Sequence, residues 1–130
     1  MILIDTSAWV DFFLGKHSNT GKHIKTELES GAPALCGPIW MELIRGVRKT
    51  KKSKDIFSLL QSCHFLEQPD HLWEEAGELG RYLGQKGFAP GSLDLLIAIY
   101  AMAHKVPLLT LDQDFQHMVK VGISLDLVKI

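Results

Sequence analysis

The chain opens on a short apolar run, Ile2-Leu3-Ile4, which is followed at once by Asp5, Thr6 and Ser7. An uninterrupted apolar run of this kind is typical of a strand that is buried on both faces, as in parallel sheets. A helical pattern begins at Ala8. Asp5 is therefore predicted to lie at the carboxyl end of a strand, where open α/β sheets bind their ligands.

The size and composition of the chain predict one globular domain, residues 1–130. Hydrophobic residues make up 46% and charged residues 22%, values that are ordinary for a folded domain and argue against disorder. The formal net charge of −1 gives no overall attraction to nucleic acid, so any such attraction must be local. Two cysteines, Cys36 and Cys63, are too few for a disulfide framework and are expected to be buried thiols. No secretory signal or membrane span is visible, and we expect a soluble, cytoplasmic protein.

Helical and strand patterns alternate along the rest of the chain. Predicted helices cover residues 8–15, 19–30, 37–47, 56–60, 71–86, 92–102 and 115–119, and predicted strands cover 33–36, 64–66, 106–110 and 125–129. Pro38 falls in the first turn of one helix, where proline is tolerated, and Ser92 is a candidate N-cap of another. The alternation predicts an α/β fold with a mainly parallel sheet that is covered by helices on both faces.

Four acidic residues stand in apolar surroundings or at the ends of predicted elements. They are Asp5, Glu42, Asp94 and Asp112. Each also has a purely structural explanation. Asp5 can cap the helix that follows it, and Asp94 can cap a helix or interact with its dipole. Glu42 can be one polar position on a half-exposed helix, and Asp112 can belong to a turn, with Asp114 near enough to compete with it or assist it.

Carboxylates that are gathered in one cleft repel one another and raise each other's pKa unless a cation neutralises them. An all-oxygen ligand set of this kind suits Mg²⁺ or Mn²⁺, which can activate water and stabilise the charge of a phosphoryl displacement. Zinc is disfavoured because the six histidines show no HExxH or comparable spacing, and we expect them at the surface. The absence of GxxxxGK[ST], GxGxxG and GxSxG elements gives no support to nucleotide hydrolysis, dinucleotide binding or acyl transfer. Haloacid-dehalogenase phosphatases also begin with a strand and an Asp, but they need a second Asp where this chain has Ser7.

Four short motifs follow one another along residues 2–115. They are Ile4-Asp5-Thr6-Ser7 with Trp9, Glu42-Leu43 followed by Gly46 and Arg48, Asp94-Leu95-Leu96-Ile97-Ala98, and Leu109-Thr110-Leu111-Asp112-Gln113-Asp114-Phe115. In this order they resemble the signatures of the PIN-domain ribonucleases, at the compact length of the VapC toxins of toxin–antitoxin modules. The resemblance implies a three-layer α/β/α sandwich with a mainly parallel central sheet. It also implies an endoribonuclease that depends on Mg²⁺ or Mn²⁺ and is inhibited by a small VapB antitoxin.

The resemblance further assigns roles to individual residues. Its acidic metal and catalytic site falls on Asp5, Glu42, Asp94 and Asp112, the first and third being the principal metal ligands. Many relatives carry Asn at the position of Asp112 and an acid just before the phenylalanine, so Asp114 is an alternative fourth acid and Asp112 is only slightly favoured. The hydroxyl that orients the first acid falls on Thr6 or Ser7, and Thr110 is a further supporting hydroxyl.

A basic run follows the second motif. It contains Arg45, Arg48, Lys49, Lys51, Lys52 and Lys54. Alone, such a run is typical of a solvated helix face. In an enzyme that cuts RNA, these side chains are expected to bind phosphates beside the metal site, through contacts that are sensitive to salt and carry no sequence information.

Three functional hypotheses follow. The first is a metal-dependent endoribonuclease toxin that acts on RNA, with a cognate VapB-type antitoxin, a homodimer and a larger toxin–antitoxin assembly as the resemblance implies. The alternatives are a non-toxin PIN nuclease in RNA processing, and a catalytically weak module that binds nucleic acid or a partner peptide. The presence of all four acids favours an enzyme. The aromatic residues Trp9, Phe12, Phe13 and Trp40 are expected to pack in the core rather than at an interface.

Overall fold

The computed structural model describes residues 1–15, 17–48 and 52–130. Its strands are β1 (Leu3–Ile4), β2 (Ala34–Leu35), β3 (His64–Phe65) and β4 (Leu108–Leu109). Its helices are α1 (Thr6–Phe13), α2 (Asn19–Ser30), α3 (Gly37–Gly46), α4 (Ser53–Gln61), α5 (Leu72–Gln85), α6 (Ser92–His104) and α7 (Gln113–Lys120). Two helices separate each pair of consecutive strands, so the strands and helices are interleaved along the chain, although they do not alternate one for one.

The four strands form one parallel sheet in the order β3-β2-β1-β4. Leu3 of β1 is paired with Ala34 on one side and with Leu108 on the other. All carboxyl ends therefore lie at the same edge of the sheet, and β1 lies in its interior. This arrangement brings the residues that follow β1 next to those that follow β4, although about a hundred residues separate them in sequence.

Apolar side chains bury the sheet between the helices. The residues of β1, β2 and β4 are fully buried, and α6 buries five residues in succession, from Ile97 to Ala101. This helix packs against α5 so closely that a Cβ added to Gly80 would lie 2.8 Å from the Cδ1 atom of Leu95. The α/β/α architecture predicted from the sequence is confirmed, and α6 is its central helix, as its nearly continuous apolar sequence indicates.

The predicted aromatic and thiol groups lie inside. Trp9 is fully buried and stacks on Phe13, with ring centroids 5.5 Å apart, while Phe12, Phe13 and Trp40 pack against the core. Cys36 and Cys63 are buried free thiols, as predicted. Burial, followed by the negative charges of Asp5 and Glu42, raises the pKa of Cys36 to about 12, so its thiolate is not available near neutral pH.

Three local predictions are wrong. The first helix begins at Thr6 rather than Ala8, because the carbonyl oxygen of Asp5 already accepts hydrogen bonds from Ala8 and Trp9. The N-cap of α6 is Gly91, and Ser92 is the first residue inside the helix. The strand predicted at 125–129 is reduced to a single parallel bridge between Leu127 and Leu108, because β4 itself contains only two residues.

None of the described helices has the length and apolarity needed to cross a membrane.

Candidate metal centre

Three carboxylates converge at the carboxyl edge of the sheet. Asp94 lies in the first turn of α6, Asp112 directly precedes α7, and Asp114 lies in the first turn of α7. One carboxylate oxygen from each of the three lies within 4.8 Å of the other two. All three side chains are half-buried, so the group is open to solvent on one side. Both candidates for the fourth acid, Asp112 and Asp114, therefore lie in the same cluster.

The segment between β4 and α7 fixes the position of Asp112. The backbone N–H of Asp112 donates to the Thr110 hydroxyl at 3.0 Å, and its Oδ1 atom accepts from the backbone N–H of Asp114 at 2.9 Å. Asp112 is thus the N-cap of α7. The sequence allowed Asp112 a place in a turn; the structure instead makes it a helix N-cap, and this role coexists with a place in the acidic cluster.

Asp5 follows β1 and is only 4% exposed. Its Oδ2 atom accepts hydrogen bonds from the hydroxyls of Ser7 and Thr110, each at 2.8 Å. The Ser7 hydroxyl also accepts from the backbone N–H of Leu111 at 3.0 Å, which ties the end of β1 to the end of β4. Asp5 is the N-cap residue of α1, but its side chain makes no capping hydrogen bond, so capping does not explain the carboxylate.

Glu42 reaches the same region from α3. Its Oε1 atom accepts a hydrogen bond from the Thr6 hydroxyl at 2.9 Å. The two hydroxyls after Asp5 are therefore divided: Ser7 orients Asp5, and Thr6 orients Glu42. The sequence left these two hydroxyls as alternatives for the same task.

The surroundings of Asp94 change its protonation. Burial is the largest cause that raises the pKa of Asp94 from its ordinary value of 3.8 to about 7, followed by the negative charges of Asp112, Asp5, Asp114 and Glu42. A cation between these carboxylates would remove the repulsion. An all-oxygen donor set with this excess of negative charge fits a divalent ion that prefers hard ligands.

The basic residues lie along a neighbouring surface. Arg45, Arg48 and Lys52 are exposed, and Lys49 and Lys51 lie outside the described residues. Arg48 and Lys52 line a groove of about 310 Å³ that also includes Thr6 and Glu42. Part of the predicted basic run therefore borders the wall that carries Glu42.

A ring stack near the cluster was not predicted from the sequence. The imidazole of His117 stacks on the ring of Phe88, with centroids 4.2 Å apart and planes 5° from parallel. His117 is exposed, as expected for the histidines, but its stacking partner lies in a distant loop. The one available signal was its position three residues after Asp114, because residues three apart share a helix face.

Comparisons with known proteins identify the family of the chain. The family model of the PIN domain matches residues 2–121. The chain belongs to the PIN-domain family. It is 30% identical over 125 residues to proteins named VapC ribonuclease Mb1587, from Mycobacterium bovis, and Ribonuclease VapC11, from Mycobacterium tuberculosis, with 93% of each sequence covered. The family predicted from the four motifs is confirmed.

Solved structures match this PIN domain over nearly its whole length. VapBC2 from Rickettsia felis, bound to a DNA fragment from its promoter, is similar with a TM-score of 0.74, 26% identity and 98% of both chains covered. VapBC-1 from nontypeable Haemophilus influenzae matches with a TM-score of 0.76 and 20% identity, covering 99% of this chain and 98% of the other. The second likeness concerns the fold alone.

Proposed function

We propose that the chain, residues 1–130, is a single PIN domain that acts as a metal-dependent endoribonuclease, the toxin of a VapBC-type toxin–antitoxin module. The observation that carries the proposal is the convergence of the Asp94, Asp112 and Asp114 carboxylates beside Asp5. The names of the ribonuclease relatives support RNA as the substrate. A cytoplasmic location belongs to the same proposal, because cellular RNA is found there.

The family resemblance makes Asp5 and Asp94 the principal metal ligands, but the grouping of the Asp94, Asp112 and Asp114 carboxylates favours these three as the residues that hold Mg²⁺ or Mn²⁺. In this proposal Asp5 and Glu42 complete the catalytic site directly or through water. When bound, such an ion activates water and stabilises the charge that develops on a phosphate during hydrolysis. The hydroxyls and backbone N–H groups around the acids contribute in another way. They keep the acids in fixed orientations, so that little reorganisation is needed when substrate enters.

The phosphate backbone of RNA is proposed to contact the basic side chains. Arg48 and Lys52 border the groove that contains Glu42, and Arg45 lies in the last turn of α3. Lys49 and Lys51 are assigned to the same surface by sequence alone. These contacts would hold the RNA next to the carboxylates and would weaken as the salt concentration rises.

Metal removal tests the enzymatic part of the proposal. We expect the purified protein to cleave a mixture of cellular RNAs in Mg²⁺ or Mn²⁺, and EDTA to lower the rate at least about tenfold. Excess Mg²⁺ added after EDTA should restore the activity, which controls for denaturation by the chelator. Undiminished cleavage in EDTA would contradict a metal-dependent mechanism. The cleavage products also distinguish an endonuclease, which gives internal fragments, from an enzyme that removes terminal nucleotides.

An antitoxin partner is proposed for the apolar part of the groove. Its floor and rim include Val10, Phe13 and Ile56, beside the positive charges of Arg48 and Lys52. This surface suits a peptide that carries both apolar and acidic side chains. The structural relatives are complexes named VapBC, which supports a VapB-type partner, and a homodimer and a larger complex with the antitoxin belong to the same proposal.

Growth experiments test the partner and the alternatives together. Induction of the chain should arrest growth, and co-expression of a small antitoxin gene from the same operon should relieve the arrest. Val10 is 45% exposed, and a Val10→Asp variant should escape this relief because it adds a negative charge to the groove. Val119→Asp, at a position of 39% exposure outside the groove, is the matched control and should still be neutralised. Arrest that persists in Asp94→Asn would instead support a binding module, and the absence of arrest would favour an RNA-processing nuclease.

A further inference from the structure

The solvent-facing side of α7 forms a polar cavity directly beside the acidic cluster. Phe115 and Met118 bury the opposite side of the helix. The cavity is about 420 Å³ and is lined by Gln113, Asp114, Gln116, His117 and Lys120. These positions lie on one helix face because residues three and four apart are neighbours on a helix surface. One wall of the cavity, Asp114, thus also belongs to the acidic cluster.

The His117 ring is held flat by a second ring beneath it. Phe88 stacks on one face of the imidazole at 4.2 Å. Phe88 is itself packed against the core, and its backbone N–H donates to the carbonyl of Leu83 at 3.0 Å. His117 is exposed and lines the cavity, whereas Phe88 is not one of the cavity's lining residues. An exposed, supported planar ring is suited to stack on another planar group.

We propose that this cavity is a nucleobase subsite, in which a base of single-stranded RNA stacks on the open face of His117. The inference rests on the proposed ribonuclease function and adds the place where the substrate base is held. Protein side chains stack on bases that are unpaired, which selects single-stranded segments over duplex. The amide groups of Gln113 and Gln116 offer donors and acceptors to the base edge, and the Lys120 ammonium offers a phosphate contact.

The position of the subsite indicates which nucleotide it receives. Asp114 and His117 are separated by about one helical turn, or about 5 Å along the helix axis. A phosphate held at the acidic cluster would therefore have its own base, or that of the adjacent nucleotide, within reach of the imidazole. The subsite would thereby select RNA whose bases next to the cleavage point can leave a stacked helix.

Binding of two matched oligonucleotides tests the proposal without depending on cleavage. We would measure the Kd of a fluorescent single-stranded RNA and of an abasic ribose-phosphate oligomer of equal length, with the protein in Mg²⁺. All proteins carry Asp94→Asn so that the RNA stays intact. His117→Ala should weaken binding of the base-bearing RNA at least about fivefold and leave binding of the abasic oligomer unchanged, because only stacking is lost. His117→Phe should return the Kd to within about twofold, since the ring is restored without its charge.

A second histidine provides the control. His64 is exposed on β3, at the opposite edge of the sheet from β4, and His64→Ala should leave both Kd values unchanged. If His117→Ala weakens the binding of both oligomers equally, His117 makes a charge contact with the backbone instead of stacking on a base, and the proposal is overturned. If His117→Ala lowers the Tm but leaves both Kd values unchanged, the stack on Phe88 is purely structural and the proposal is overturned. The proposal is also overturned if the protein does not bind RNA at all. Failure of the ribonuclease proposal would appear elsewhere, as a wild-type protein that binds RNA but does not cleave it.

Discussion

Replacement of Asp94 by asparagine is expected to lower the rate of RNA cleavage by about 10²–10³-fold, the size of effect seen when one preorganised electrostatic group is lost from an active site. Asn keeps the shape of the side chain but removes a negative oxygen ligand from a cluster whose three carboxylates lie within 4.8 Å of one another. Initial rates at saturating Mg²⁺ measure the effect. Calorimetric titration with Mg²⁺ should give a weaker Kd for the variant, because two carboxylates of the cluster remain instead of three.

The same substitution should stabilise the metal-free protein. The folded-state pKa of Asp94 is raised to about 7 from an ordinary 3.8, so the folded state holds a proton that the unfolded chain releases. Stability in EDTA therefore falls as pH rises from about 4 to about 7 and is flat above that range. Asp94→Asn removes this loss. After allowance for solvent screening of a half-exposed group, the variant should gain about 1–2 kcal/mol at pH 8 and nothing near pH 4.

Asp55→Asn is the matched control for both measurements. Asp55 lies in the first turn of α4, as Asp94 lies in the first turn of α6, but Asp55 is exposed. The control should keep its cleavage rate and lose a few tenths of a kcal/mol through the helix dipole. A wild-type level of cleavage in Asp94→Asn would refute the metal site, and a variant that is less stable than wild type at pH 8 would refute the cost of burying the Asp94 charge among the other acids.

Phe115→Ala is expected to cause a large loss of stability, about 3–5 kcal/mol in the free energy of unfolding. The Phe115 side chain is fully buried and anchors α7 to the core. Because Asp112 caps this helix and Asp114 lies in its first turn, loosening it should also weaken the binding of Mg²⁺. Urea denaturation, followed by a Mg²⁺ titration of the folded variant, measures both effects.

Val119→Ala, at a partly exposed position one turn after Phe115, separates anchoring from helix propensity. It removes a partly exposed side chain and should change stability by less than about 0.5 kcal/mol, with Mg²⁺ binding unchanged. If the Phe115→Ala variant unfolds at a lower urea concentration but binds Mg²⁺ normally, the acidic cluster does not depend on the packing of α7 against the core.

The position of Asp5 was predictable because it depends on one local pattern and one topological rule. A buried apolar strand that runs into an acid puts that acid at the carboxyl edge, and parallel strands bring their carboxyl edges together. The approach of Asp112 to Asp94 follows from the same topology. Glu42 was noticeable as an acid among apolar neighbours, but no periodicity in α3 distinguishes it from an ordinary half-exposed position, and its role in the site came from the family resemblance.

The hydrogen bonds within the site were not predictable. Whether Thr6 or Ser7 turns toward Asp5 depends on how α1 begins and how it packs against α3, and the helix begins two residues earlier than the apolar pattern indicates. The stack of Phe88 on His117 joins a loop to a helix with no shared periodicity. The strand predicted at 125–129 failed for a related reason, since an apolar run indicates burial but not the length of its hydrogen-bonded partner.

The hydroxyl and amide donors around the acids have a consequence for the choice of ion. The Oδ2 atom of Asp5 already accepts two hydrogen bonds, and the Oδ1 atom of Asp112 accepts one from the backbone. In each of these carboxylates only one oxygen is free of these hydrogen bonds, which disfavours bidentate binding of an ion. Ca²⁺ is commonly bound by six to eight oxygens, often through such two-oxygen contacts, whereas Mg²⁺ accepts few protein oxygens and keeps its waters. We therefore expect two hydroxyls and one backbone amide, none of which needs to touch the metal, to favour Mg²⁺ over Ca²⁺ by limiting the number of carboxylate oxygens that one ion can bind.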